Sequence, residues 1–144
     1  MKTKYLLAYM EMAVCFGKTS DANKAQVGCL LVKDGGVISE GVNGQPPKWP
    51  TEVCEDDEGK TLPTVRHAEI AALDKMINKT ETTKGSIAFI SLSPCYSCAI
   101  KLVGAGIKHV YFQEEYRCRK GIDYLLENGV FVTQISQFGN LRDL

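Results

Sequence analysis

The sequence predicts an α/β fold with three layers, α/β/α, around a mixed sheet of about five strands. Three observations carry that expectation. The apolar runs Val27–Val32 and Val37–Val42 are joined by Lys33-Asp34-Gly35-Gly36, a strong hairpin signal. Downstream of Arg66, short apolar runs alternate with segments of helical periodicity, as strand–helix–strand crossovers do. Ile87-Ala88-Phe89-Ile90-Ser91-Leu92 is apolar almost throughout, as in a buried strand.

Taken in order, Leu6, Leu7, Met10, Ala13, Val14 and Gly17 fall near helical spacing and predict an amphipathic helix over 4–17 that Gly17 stops. Residues 18–24 are a polar loop. The hairpin follows and ends at Gly41-Val42-Asn43-Gly44. Gln45 to Thr64 then holds three prolines within Pro46–Pro50 and an acidic stretch without period, and is expected to form one long excursion. Long loops inside compact domains are usually functional or disordered, so two readings stand: a solvated insertion, or a lid or effector-binding loop over the site it leads into. Arg66–Lys79 predicts a helix whose apolar side is Ala68, Ala71, Ala72, Leu73, Met76 and Ile77. After the strand 87–92, Ser93 is placed to cap a helix and Pro94 to occupy its first position. That helix runs to Val103 and stops at Gly104–Gly106. A strand over 107–112, a helix over 119–127 closed by Asn128-Gly129, and a last strand over 130–133 complete the pattern; the tail 134–144 is too short and mixed to assign.

The chain of 144 residues suits a single domain over 1–144. Its 17 basic and 17 acidic residues balance, which argues against a protein that mainly grips nucleic-acid backbone. No apolar run approaches the roughly 20 residues needed to span a bilayer, and no signal-peptide pattern opens the sequence. With six cysteines and no export signal, a reducing, cytoplasmic setting is expected. Outside the motif described next, Cys15, Cys29, Cys54 and Cys118 read as free thiols, with a second metal site or oxidation as alternatives.

The chemistry concentrates in His67-Ala68-Glu69 and Ser93-Pro94-Cys95-Tyr96-Ser97-Cys98. Cys95-x-x-Cys98 alone fits a metal site, a redox pair or two buried cysteines. His67 supplies a third metal donor, and Glu69 is spaced to aim a carboxylate at the same ion. A structural zinc closes with four protein ligands, whereas a catalytic one holds three and leaves the fourth position to water. One His, two Cys and a non-ligating Glu fit the open kind. Cysteines at a helix N-terminus also favour the thiolate that a metal requires. Asn43 and Ser93–Cys98 fall on the rim formed by the carboxyl ends of the strands, where open α/β sheets place their sites.

H-x-E with P-C-x-x-C is the signature of zinc-dependent nucleobase deaminases. From about Tyr5 to Val132 the sequence resembles the cytidine deaminase superfamily, and most closely its deoxycytidylate (dCMP) deaminase branch. The residues carrying the likeness are Asn23–Gly28, Gly41–Gly44, His67–Glu69, Leu92–Ala99 and Gly104–Lys108. Val42 departs from the tyrosine usual in that branch, and Arg66 from a smaller or apolar residue. The resemblance implies a cytidine deaminase-like fold and hydrolysis of dCMP to dUMP and ammonia, supplying dUMP for thymidylate synthesis. It implies one catalytic Zn2+ per chain on His67, Cys95 and Cys98, with Glu69 as proton carrier. Asn43 would contact the sugar (or simply form a turn), and Ala68 and Ser93 would hold the ring edge. Phosphate candidates, by chemistry, are Lys18, Ser20, Asn23 and Lys24, or Tyr116, Arg117, Arg119 and Lys120, with Tyr116 and Arg119 favoured. The branch further implies a homo-oligomer, expected as a hexamer, with dCTP plus Mg2+ as activator and dTTP as inhibitor at Asn43 and Gly44. Rival readings are a deaminase of dCTP, free cytidine or tRNA adenosine, and a non-catalytic zinc- and nucleotide-binding sensor. A nucleic-acid partner and a membrane partner are not expected.

Overall fold

A computed structural model describes all 144 residues. The elements follow the order α1 (Thr3–Gly17), β1 (Gly28–Lys33), β2 (Gly36–Val42), α2 (Ala68–Met76), β3 (Ile87–Leu92), α3 (Tyr96–Gly104), β4 (His109–Glu114), α4 (Lys120–Glu127), β5 (Phe131–Ile135) and β6 (Leu141–Asp143). The hairpin turn forms as its residues demand: Asp34 and Gly35 both take positive φ, 50° and 77°, which twists the chain back in register with the strands.

Six strands make one mixed sheet in the order β2-β1-β3-β4-β5-β6. β1 is antiparallel to both β2 and β3, and β3, β4 and β5 run parallel. β2, β3 and β4 therefore point the same way, and their carboxyl ends share one rim. The sixth strand, β6, pairs antiparallel with β5. Its three residues are exposed and lack the alternation that marks a strand in sequence, so only the pairing reveals it.

Residues on β1 alternate between two cores. Cys29 and Leu31 join α2, α3 and α4 on one face, while Leu30 and Val32 join Leu6, Met10 and Ala13 of α1 on the other. All four are buried, which is why this strand carries no polar side. The layers are thus α1, the sheet, and α2–α4.

Two glycines set how closely helices approach the rim. A Cβ at Gly41 of β2 would strike the Ala68 carbonyl and the Ala72 amide of α2. A Cβ at Gly121 of α4 would strike the Pro94 carbonyl and lie 2.9 Å from the Cys95 backbone. Both helices can sit where they do only because a side chain is missing.

Local boundaries shift near the site. α3 begins at Tyr96 with Cys95 as its N-cap, in extended conformation (φ −70°, ψ 171°), so Pro94 lies outside the helix and Ser93 does not cap it. The Ser93 hydroxyl is taken instead by the Tyr116 N–H at 2.6 Å, and the Ser93 N–H by the Glu114 carbonyl at 2.8 Å. α2 is shorter than its periodicity suggests, ending at Met76, and His67 is its N-cap rather than a first-turn residue. The segment between Gly44 and Arg66 holds no helix and no strand beyond one bridge between Glu55 and Thr61. Its two ends are tied to each other: Gly44 N–H donates to the Arg66 carbonyl at 3.1 Å, and Arg66 N–H to the Gly44 carbonyl at 2.9 Å.

Candidate active site

The two helix starts bring three metal-binding side chains together. His67 caps α2, Cys95 caps α3, and Cys98 lies one turn into α3. Neither cap residue spends its side chain on the helix, leaving the imidazole and the thiol free to face one another. His67 Nδ1 is 3.2 Å from Cys98 Sγ and 3.4 Å from Cys95 Sγ, and the three donor atoms all lie within 4.8 Å of one another. Tetrahedral zinc, with bonds of about 2.0–2.1 Å to nitrogen and 2.3 Å to sulfur, would set such atoms about 3.6 Å apart. The set is soft, borderline and three in number, so the residues present fit zinc with one position left open. This is the one cluster of three or more His, Cys, Asp or Glu donors in the chain close enough to share an ion.

Their protonation states are interlocked. The Cys95 thiol is held down at about 3, first by a hydrogen bond from the Cys98 thiol and then by the His67 ring. Cys98 is pushed up because its S–H serves that thiolate, with burial adding to the effect. The same Cys95 thiolate raises His67 against the opposing effect of burial. Glu69, only 4% exposed, is the one acid next to the cluster. Burial pushes its carboxyl up to about 7, against its own backbone N–H and the His67 ring, which pull it down. A carboxyl near 7 can both take and give a proton at neutral pH.

The cluster and Glu69 border a cavity of 530 Å³, within the range of small-molecule sites. Asn43, Ala68, Ser93 and Tyr116 line it. Arg119 does not. It caps α4, paired with Asp123 at 3.8 Å one helical turn on and with Glu115 at 3.2 Å in the loop ahead of the helix. Arg117, two residues earlier, borders the cavity instead, together with Lys24. Lys18 and Lys120 stay outside the lining. Ser20 and Asn23 act indirectly: Ser20 Oγ donates to the Asn43 carbonyl at 2.7 Å, and Asn23 N–H donates to Glu55 at 2.9 Å.

Asn43 also braces the cavity wall. Its Oδ1 accepts the Val27 N–H at 2.8 Å and its Nδ2 donates to the Ala25 carbonyl at 2.6 Å, stitching β2 to the chain that enters β1. Gly44 contributes backbone alone, through its bridge to Arg66. Cys54, Glu55 and Thr61 were not singled out in the sequence, yet they bring the long segment into the wall. Cys54 and Glu55 are buried in the midst of an acidic stretch whose other members are largely exposed. A thiol beside one of several acids was the sole hint.

No helix is long and apolar enough to cross a membrane. Residues 3–114 match the family model described as the cytidine and deoxycytidylate deaminase zinc-binding region. The chain is 28% identical over 137 residues to deoxycytidylate deaminase of Saccharomyces cerevisiae, covering 89% of this chain and 44% of that protein. It is 30% identical over 115 residues to the Homo sapiens deoxycytidylate deaminase, covering 74% of this chain and 63% of that one. The chain thus spans about half the length of these curated relatives. Among solved structures, dCMP deaminase from the cyanophage S-TIM5, in complex with dCMP and dUMP, superposes with a TM-score of 0.91 at 40% identity, over 93% of this chain and 98% of that one. Motif, sheet and match agree: the chain belongs to the cytidine and deoxycytidylate deaminase family.

Proposed function

We propose that this protein hydrolyses dCMP to dUMP and ammonia, with His67, Cys95 and Cys98 holding one zinc ion and Glu69 carrying the protons. The observation behind it is the buried Glu69 carboxyl set beside an open three-donor cluster on the wall of a nucleotide-sized cavity. The family match and the likeness to the S-TIM5 enzyme support the choice of substrate.

Zinc bound there would lower the pKa of water from near 16 to about 7 and so supply a nucleophile at neutral pH. The chain's own residues do the rest. Glu69 takes a proton from the attacking water and passes it to ring N3, then takes the remaining proton of the added hydroxyl as the ring carbonyl forms and gives it to the departing amine, a circuit that needs its carboxyl off the metal and near 7. Ala68 and Ser93 line the cavity against the ring, Asn43 faces the sugar while holding the wall together, and Lys24 and Arg117 supply positive charge for the 5′-phosphate. Burial of Glu69 and Cys98 keeps bulk water from short-circuiting the proton transfers.

The proposal extends to control by dCTP and dTTP at the loop containing Asn43 and Gly44, as is typical of the branch the sequence resembles. Effector magnesium would arrive on the nucleotide's phosphates. A homo-oligomer is included too; the exposed Phe131, Phe138 and Leu141 near the β5–β6 edge are the surface that supports it. The deciding experiment measures ammonia release by zinc-loaded protein from dCMP, dCTP, deoxycytidine and adenosine-containing tRNA, with and without dCTP/Mg2+ and dTTP. A preference for dCMP is expected. Release from none of the four while zinc is bound would overturn the enzymatic reading.

A further inference from the structure

Glu55 is a buried acid that the chemistry above does not use. It is 9% exposed and belongs to the segment between Gly44 and Arg66. One oxygen, Oε2, accepts the N–H groups of Asn23 at 2.9 Å and Lys24 at 3.3 Å. The other, Oε1, is buried with no hydrogen-bond partner at all. A carboxylate oxygen out of water and without a donor is costly, and such groups are rare in folded proteins. Yet Glu55 lines the same cavity as His67, Glu69, Asn43 and Lys24. Glu55 thus stands on the cavity wall with one oxygen unpartnered, and a donor carried by a bound ligand would complete it.

The chemistry of a deoxynucleotide leaves one candidate. A phosphate brings only acceptors and negative charge, which a carboxylate repels and which Lys24 and Arg117 attract. The ring amine is the group that departs and must lie at the His67–Cys95–Cys98 cluster beside Glu69. What remains is the sugar's 3′-hydroxyl. The geometry points to Glu55 as the residue that binds the 3′-hydroxyl of the pentose and thereby selects a nucleotide that carries one. The assignment rests on the dCMP reading and deepens it. It also gives the long segment a task, since its bridge from Glu55 to Thr61 and the backbone donors of Asn23 and Lys24 fix the carboxylate against the entry to β1.

The test compares calorimetric affinities of zinc-loaded protein for dUMP and for 2′,3′-dideoxyuridine 5′-monophosphate, in the native chain and in Glu55→Gln, alongside ammonia release from dCMP. Removing the hydroxyl should weaken binding to the native chain about 10- to 100-fold, the ordinary worth of a hydrogen bond to a charged group. Glu55→Gln should weaken dUMP and narrow the difference between the two nucleotides to about fivefold, by the smaller worth of a neutral hydrogen bond. If the native chain does not distinguish the two nucleotides, the assignment fails, whether or not the variant folds. If Glu55→Gln weakens both equally, the carboxylate only ties the segment to residues 23–24 and the assignment fails as well. Discrimination without ammonia release would leave Glu55 in place and remove the deaminase reading instead.

Discussion

Replacing Gly121 by alanine tests whether the spacing of α4 against the metal loop governs the site. The added Cβ would collide with the Pro94 carbonyl and lie 2.9 Å from both the carbonyl carbon and oxygen of Cys95. Ordinary van der Waals contact begins near 3.4 Å, so Cys95 or α4 must retreat by at least about half an ångström. The obstacle is backbone on both sides and has no flexible end to turn away. Overpacking of this kind typically costs about 1–3 kcal/mol. A metal site tolerates displacements of only about 0.2 Å in its ligand distances, so the retreat should reach the ion through Cys95. The expected outcome is a Tm several degrees lower and zinc affinity at least about tenfold weaker, taking each 1.4 kcal/mol as a factor of ten. Gly104→Ala is the control: nothing lies within 4 Å of its Cβ, it ends α3, and it should be neutral or stabilise by up to about 1 kcal/mol. Chelator competition and thermal melts measure both variants. Equal zinc affinity in Gly121→Ala and Gly104→Ala would refute the claim that α4 sets the position of Cys95.

Other substitutions probe the remaining parts. Glu69→Gln should bind zinc as the native chain does but lose about 10²–10⁴-fold in turnover, measured by ammonia release and metal analysis; activity within tenfold of native would remove Glu69 from proton transfer. Arg117→Ala should raise KM for dCMP while leaving the slow reaction of deoxycytidine unchanged, and Arg119→Ala should do neither, because Arg119 is engaged with Glu115 and Asp123. Thr133→Val should cost about 1–3 kcal/mol in urea unfolding, since the Thr133 hydroxyl contacts His109 Nε2 at 2.9 Å and donates to Asp143 Oδ1 at 2.8 Å, tying β6 to the sheet. Burial holds the His109 imidazole below its ordinary value of 6.5, so the folded state prefers the neutral ring. Its contribution to stability is present above pH 6.5 and is lost as pH falls through the depressed value; His109→Gln should therefore narrow the stability difference between pH 7.5 and pH 5.

The parts of the site legible in sequence are those whose spacing has a local cause. His67-x-Glu69 and Cys95-x-x-Cys98 each lie within one helical turn, so their proximity needs no knowledge of the fold. The hairpin was legible for the same reason, because Asp34 and Gly35 accept the left-handed conformation the turn requires. Contacts across the sheet were harder to see. Arg117 and Arg119 look equivalent in sequence, and only the start of α4 decides that one borders the cavity and the other pairs along the helix. Ser93 and Pro94 form an ordinary helix-start signal that loses to a tertiary demand, because Tyr116 claims the serine hydroxyl. Glu55 sits among four neighbouring acids, and its burial follows from donors on residues 23 and 24, some thirty positions away.

The pair of backbone hydrogen bonds that closes Gly44 onto Arg66 gives the site a division of labour. The stretch between them leaves the body of the protein and returns at one point, immediately ahead of His67. Residues could be added, removed or exchanged there without altering the helix starts that grip the metal, much as a mould can be refitted on a fixed base. Relatives that share the fixed base are then free to diverge along this outer wall.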